Sequence, residues 1–187
     1  FRHYRGPEDL PGRAAANQAM RDTDGILDTS SADDMAVQYA NLTNSDLEHD
    51  LVIVERNAPG EPARIAGYAR VEWRDLTDGT RAFPSVVVMS PEIRTPDVAR
   101  ALVAWSEARI TANARHIPPR PGVPTLMQAF TLGPDPTLAD ALIASGWRQQ
   151  GRGYEMLCEP LDDVPAMPMP NGLTLRPMVD DEATRRA

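Results

Sequence analysis

A chain of 187 residues, 42% hydrophobic and 25% charged, is long enough for one globular domain and part of another. Its net charge of −8 opposes a phosphate backbone, and no apolar run reaches the roughly 20 residues of a membrane span, so neither nucleic acid nor a membrane is the expected partner. All 19 basic residues are arginine, which removes any Schiff-base, P-loop or kinase-type lysine, and the lone Cys158 permits no internal disulfide and points to a reducing, cytoplasmic setting.

Phe1 to Arg5 reads as a short strand. Pro7-Glu-Asp-Leu-Pro-Gly12 opens a helix to about Met20, and Asp22-Thr-Asp-Gly25 breaks it. Thr29-Ser-Ser31 followed by Asp33 and Asp34 starts a second helix, which reaches about Leu42 with Met35, Ala36, Tyr39 and Ala40 on its apolar side. Leu51 to Glu55 is a strand, Arg56 to Pro62 a turn rich in breakers, and Arg64 to Trp73 a second strand, so the two form a hairpin. Leu76-Thr-Asp-Gly79 turns the chain into Arg81 to Met89, completing an antiparallel meander. Glu72, beside Trp73, is the candidate general base on that meander; the competing reading is an outward charge on an alternating strand.

Val86, Val87 and Val88 are consecutive β-branched residues of a buried strand. The helix after Pro96 ends near His116, before Pro118 and Pro119, and carries Ala99, Ala101, Leu102, Val103, Trp105 and Ile110 on its apolar side. A strand feeding a helix start is a common anion site, because the first amides of the helix are unpaired. In this chain Asp97 stands where such a site wants glycine. Thr95 as N-cap, Pro96 at the first helical position and Asp97 in the first turn also satisfy the helix end by themselves. Thr125 to Thr131 is a further strand, Pro136 to Ser145 a short helix closed by Gly146, and Tyr154 to Glu159 a last strand that holds Cys158 as a packed residue. His3, His49 and His116 are scattered without metal or triad spacing, so no metal is expected.

Residues 162–171 form a stiff, proline-rich linker. Beyond it, Leu175-Arg-Pro-Met-Val-Asp180 repeats the pattern of Tyr4-Arg-Gly-Pro-Glu-Asp9 at an offset of 176 − 5 = 171 residues. Residues 172–187 therefore read as the opening of a second copy.

Three short motifs fall in a consistent order: Gly67-Tyr-Ala-Arg-Val71 in the meander, Ser90-Pro-Glu-Ile-Arg94 after its last strand, and Ala144-Ser-Gly-Trp147 after the last helix. With the element order, they resemble the GCN5-related N-acetyltransferase family over residues 1–161. The tandem layout resembles two-domain acetyltransferases of mycothiol-synthase type. The resemblance implies an α+β, sandwich-like fold: a mixed, mostly antiparallel sheet with splayed fourth and fifth strands and helices on both faces. It implies acetyl-CoA as co-substrate, with pantetheine along Val87, Val88 and Met89 and the diphosphate on Arg94-Thr-Pro-Asp-Val-Ala99. Arg94, Val98, Ala99 and Arg100 would be the cofactor-binding residues there. Two positions depart from the family pattern. Asp97 replaces the central glycine, and like charges ~4 Å apart cost about 1 kcal/mol in water and about 4 at an effective dielectric near 20. Leu142 replaces the tyrosine that many members use as general acid. The implied function is acetyl transfer to a small-molecule amine, with this N-terminal unit weakly active or inactive and the chemistry in the second copy. The alternatives are a non-catalytic domain bracing a catalytic partner and a small-molecule sensor.

Overall fold

A computed structural model describes residues 1–118, 121–153 and 168–174. Phe1–Gln149 forms one compact unit and Gln150–Ala187 a second. The expected strand from Tyr154, Cys158, most of the linker and the repeat from Leu175 onward lie outside the described residues.

The described residues of the first unit form six strands, β1 (Arg2–His3), β2 (Leu51–Arg56), β3 (Arg64–Val71), β4 (Arg74–Asp75), β5 (Arg81–Met89) and β6 (Thr125–Ala129), and five α-helices, α1 (Leu10–Asp24), α2 (Ala32–Ala40), α3 (Leu47–Asp50), α4 (Pro96–His116) and α5 (Thr137–Ala144). One sheet runs β1-β2-β3-β5, with β4 on the β3 side of β5 and β6 on the other. Every pairing is antiparallel except β5 with β6. This is the mixed, mostly antiparallel sheet expected from the sequence. The expected fourth and fifth strands are β5 and β6, and β4 is an addition.

β4 exists because of Pro84. β3 and β4 share one register against β5, from Gly67 opposite Met89 to Asp75 opposite Arg81. Glu72 N–H reaches Pro84 C=O at 3.1 Å, but Pro84 has no N–H to return. Trp73 N–H, which by alternation faces away from β5, donates to Asn44 C=O at 3.1 Å. The expected single strand to Trp73 is thus interrupted after Val71.

Side chains of β2 alternate between two cores. Leu51 and Ile53 join Met20 of α1, Tyr68 and Val88 on one face. Val52 and Val54 join Ala99, Leu102 and Val103 of α4 and Leu138 and Ala141 of α5 on the other. Helices therefore cover both faces. Two helix starts form as the sequence indicates: Ser31 and Asp34 make a reciprocal capping box, and Thr95 Oγ1 accepts the Val98 N–H at 3.3 Å. At the far end of α5, Trp147 donates its indole N–H to Glu107 of α4 at 2.6 Å.

Arg2 ties the N-terminal strand down, donating to Asp9 at 2.8 and 2.7 Å and to Glu55 at 2.6 Å. Burial pushes the Asp9 carboxyl up, but the hydrogen bonds from Arg2 and from the Arg5 N–H outweigh it and hold it below the usual carboxylate range. That contribution is present at neutral pH and is lost as pH falls through the lowered value.

Arg13 of α1 is 1% exposed, yet its Nε and Nη1 have no hydrogen-bond partner. Its guanidinium carbon lies 4.0 Å from the ring centre of Tyr68, 4.8 Å from Tyr39 and 6.0 Å from Tyr4. Ring quadrupoles stand in for a counter-charge. Burial pushes the Tyr68 hydroxyl up, so this ring stays neutral at physiological pH. Buried donors without partners cost about 1–3 kcal/mol. Arg13→Met keeps the apolar stem and removes them, so thermal unfolding followed by circular dichroism should show an unchanged or higher midpoint. Arg13→Ala should lose about 2–4 kcal/mol to the cavity left behind.

Candidate functional site

Main-chain parity along β5 decides what can line a cleft there. Ser90 N–H donates to Ala66 C=O at 2.9 Å and Glu72 N–H to Pro84 C=O at 3.1 Å. By alternation, Val86 and Val88 point their main-chain groups at β3, while Val87 and Met89 point theirs to the opposite edge. On that edge Arg81 N–H donates to Pro124 C=O at 2.9 Å, and the β6 ladder runs from Arg81 opposite Thr125 to Ser85 opposite Ala129. It ends there. No residue of β6 pairs with Val87 or Met89, so past Ser85 this edge of β5 has no strand partner among the described residues, which leaves a gap in the ladder.

Of the three residues expected to line the gap, Val87 thus presents its main chain to it. Val88 is paired with Tyr68 of β3. Met89 faces the gap, but its C=O accepts Arg94 Nε at 3.2 Å.

After β5 the chain makes one 3-10 turn, Pro91–Ile93, before α4. Ser90 Oγ fastens this turn to Ala66 C=O at 2.6 Å. Gly67 is there because no side chain fits: a Cβ would sit 2.6 Å from Val88 O and 2.8 Å from Ile93 Cδ1. The glycine of Gly67-Tyr-Ala-Arg-Val71 therefore brings β3, β5 and the turn into close contact.

Arg94 points away from the start of α4. Its Nη1 and Nη2 both donate to Asp24, at the end of α1, at 2.7 Å, and its Nε lies 3.5 Å from Asp135. The Asp24 side chain is 3% exposed. The hydrogen bond to Asp24 pushes the guanidinium pKa further up, so Arg94 stays charged. Gly133, at φ +75°, lets the β6–α5 loop lie against Asp24, where a Cβ would meet Asp24 Cβ at 2.7 Å. Asp24, Arg94 and Asp135 thus clasp three distant segments together beside the gap.

The start of α4 is satisfied from within. Thr95 N–H donates to Ile93 C=O at 2.8 Å, Pro96 has no N–H, and Val98 N–H is capped by Thr95 Oγ1. Asp97 retains the one amide without a partner among the described residues. Its side chain is 88% exposed and pairs with Arg100 one turn on. Val98 is half-buried, and Ala99 is fully buried in the α4 core. Arg94 and Arg100, both expected among the cofactor-binding residues, part company: Arg100 pairs with Asp97 while Arg94 turns to Asp24.

Glu72 faces the same side as Arg70, which donates to it at 2.6 Å and lies 5.6 Å over Tyr39. The candidate base is therefore ion-paired. Leu142, in place of a tyrosine acid, packs against the α4–α5 core. Among the described residues no cluster of three or more His, Cys, Asp or Glu is arranged to hold a metal, and no helix is long and apolar enough to cross a membrane.

Sequence reasoning missed the Arg94–Asp24 pair, because nothing local in Asp22-Thr-Asp-Gly25 marks a partner 70 residues away. It also missed Arg13, which reads as an ordinary polar position on an amphipathic helix.

No family model matches the chain, and no curated protein matches it. Its fold recurs in solved structures. A GCN5-related N-acetyltransferase from Sphaerobacter thermophilus superposes with a TM-score of 0.60 at 23% identity, over 78% of this chain and 42% of that one. A structure from Agrobacterium tumefaciens described as a candidate acetyltransferase superposes with a TM-score of 0.51 at 17% identity, over 82% of this chain and 96% of that one. The chain spans less than half the length of the first. The mixed sheet with helices on both faces is the GCN5-related N-acetyltransferase fold.

Proposed function

We propose that Phe1–Gln149 is the weakly binding half of a tandem acyltransferase whose parent chain moves an acetyl group from acetyl-CoA to a small-molecule amine. A neutral amine attacks the thioester carbon, the oxyanion is held by a main-chain N–H of the fold's fourth strand, and the C–S bond breaks as the amine's proton passes to the departing thiolate of coenzyme A. The gap beside Val87 supports acyl-donor chemistry in this fold. The observation that carries the weak-binding reading is the start of α4, where the one amide left for a diphosphate is that of Asp97, which brings its own carboxylate. Catalysis belongs in this proposal to the second copy that the sequence opens near Gly172.

Isothermal titration of acetyl-CoA into the full chain tests this. The expected dissociation constant is weaker than about 1 mM, that is, binding no better than about −4 kcal/mol. Asp97→Gly should improve it less than about tenfold, because Arg94 still occupies Met89 C=O. Micromolar binding by the unaltered chain would overturn the proposal. Micromolar binding by Asp97→Gly alone would show an intact site disabled by one residue.

One observation favours a bracing role for this unit. Leu126 and Met127 of β6 and Phe130 beyond it are 46%, 42% and 59% exposed, an apolar edge of the kind a partner domain covers.

A further inference from the structure

The far end of the sheet carries a concavity, independent of the acyl-donor reading. It has a volume of about 290 Å³ and opens between the α2–α3 loop, Trp73 and the last turns of α4. Arg109, which lines it, lies 14 residues after Thr95, roughly 21 Å along the helix.

Its organising group is Asp50, only 3% exposed. The carboxylate accepts Arg109 Nε at 2.5 Å and Asn113 Nδ2 at 2.8 Å on one oxygen, and the Asp46 N–H at 2.7 Å on the other. A buried carboxylate with three donors is satisfied and offers little to a ligand. Arg109 differs. Only its Nε is engaged, so the Nη1 and Nη2 edge has no hydrogen-bond partner among the described residues. That edge is a planar fork, fixed in place by the buried anion behind it.

Trp73 supplies a wall of the same cleft. Arg81 lies 4.8 Å from its ring centre and is itself held by Asp75 at 2.8 and 3.2 Å, so the indole is braced. The charge available is limited. Asp46 also lines the cleft, paired with His49 at 2.7 Å, and His116 stands exposed among the lining residues. One free guanidinium edge near a carboxylate suits a single negative charge better than a dianion.

We propose that this cleft binds a small planar monocarboxylate, its carboxylate on the Nη1/Nη2 edge of Arg109 and its flat body against Trp73. The volume lies at the small end of ligand pockets and admits a single-ring acid. Asn44 and Asn113 supply the remaining polar contacts.

Benzoate, titrated into the full chain and followed by NMR, should shift the Trp73 indole and Asn113 side-chain signals saturably. Benzamide, the neutral isostere, should bind at least about tenfold more weakly. Arg109→Lys keeps a cation for Asp50 but loses the fork, and should weaken benzoate by about tenfold. Equal binding of benzamide and benzoate would overturn the proposal, as would shifts confined to other residues. Phenyl phosphate binding more than about tenfold tighter than benzoate would overturn the choice of a monoanion. The comparison of benzoate with benzamide needs no variant, so it decides even where Arg109→Lys does not fold.

Discussion

Arg94→Met should remove about 3–5 kcal/mol of stability, measured by urea unfolding of the full chain. The Asp24 carboxylate is 3% exposed and has two hydrogen bonds of 2.7 Å from the Arg94 guanidinium. Without them it is a buried charge with no compensation, and its desolvation is no longer offset. A domain this size is stable by only about 5–15 kcal/mol, so the loss would leave it marginal. The double variant Arg94→Met with Asp24→Leu should recover much of the loss, since an apolar pair of similar volume carries no unpaired charge. The same variant separates two roles for Arg94. A residue that served chiefly to hold a diphosphate would lower acetyl-CoA affinity and leave the unfolding midpoint where it was. A clasp residue moves the midpoint.

Gly67→Ala should cost about 3 kcal/mol or more, above the usual range for overpacking. The added Cβ would lie 2.6 Å from Val88 O, a backbone atom inside the central ladder, and 2.8 Å from Ile93 Cδ1. The isoleucine tip can rotate, but the carbonyl moves only if β5 shifts away from β3. That shift would fall on Val87, Val88 and Met89, the residues beside the gap. Gly153→Ala, where nothing lies within 4 Å of the new carbon, is the control and should stay within about 0.5 kcal/mol of the parent. Equal unfolding midpoints for the two variants would refute the close-approach account of Gly67.

Much of this architecture was legible in the chain. The caps at Ser31 and Thr95 are local chemistry: a hydroxyl and an acidic first turn specify a helix start without reference to the rest of the molecule. The meander is likewise written in β-branched runs punctuated by turns. Gly67 could be assigned to a strand, but the reason for it could not be read, because that lies in Val88 and Ile93 across the sheet. The break opposite Pro84 was open to inference, since proline in a central strand removes a ladder bond, yet its partner had to be known first. Long-range electrostatics were the least accessible. Arg94 was assigned to the diphosphate loop by its resemblance to the family pattern, whereas its partners come from the end of α1 and the loop before α5. The Asp50–Arg109–Asn113 group joins positions 59 and 63 residues apart and leaves no local pattern.

The clasp also bears on the order in which the molecule assembles. Asp24, Arg94 and Asp135 come from segments spread over more than a hundred positions, so they meet only once the intervening sheet has formed. Such a contact is expected to form after the rate-limiting step, and a φ-value near zero for Arg94→Met in folding kinetics would show it. It therefore acts as a brake on opening more than as an aid to closing, and its strength is felt in the lifetime of the native state.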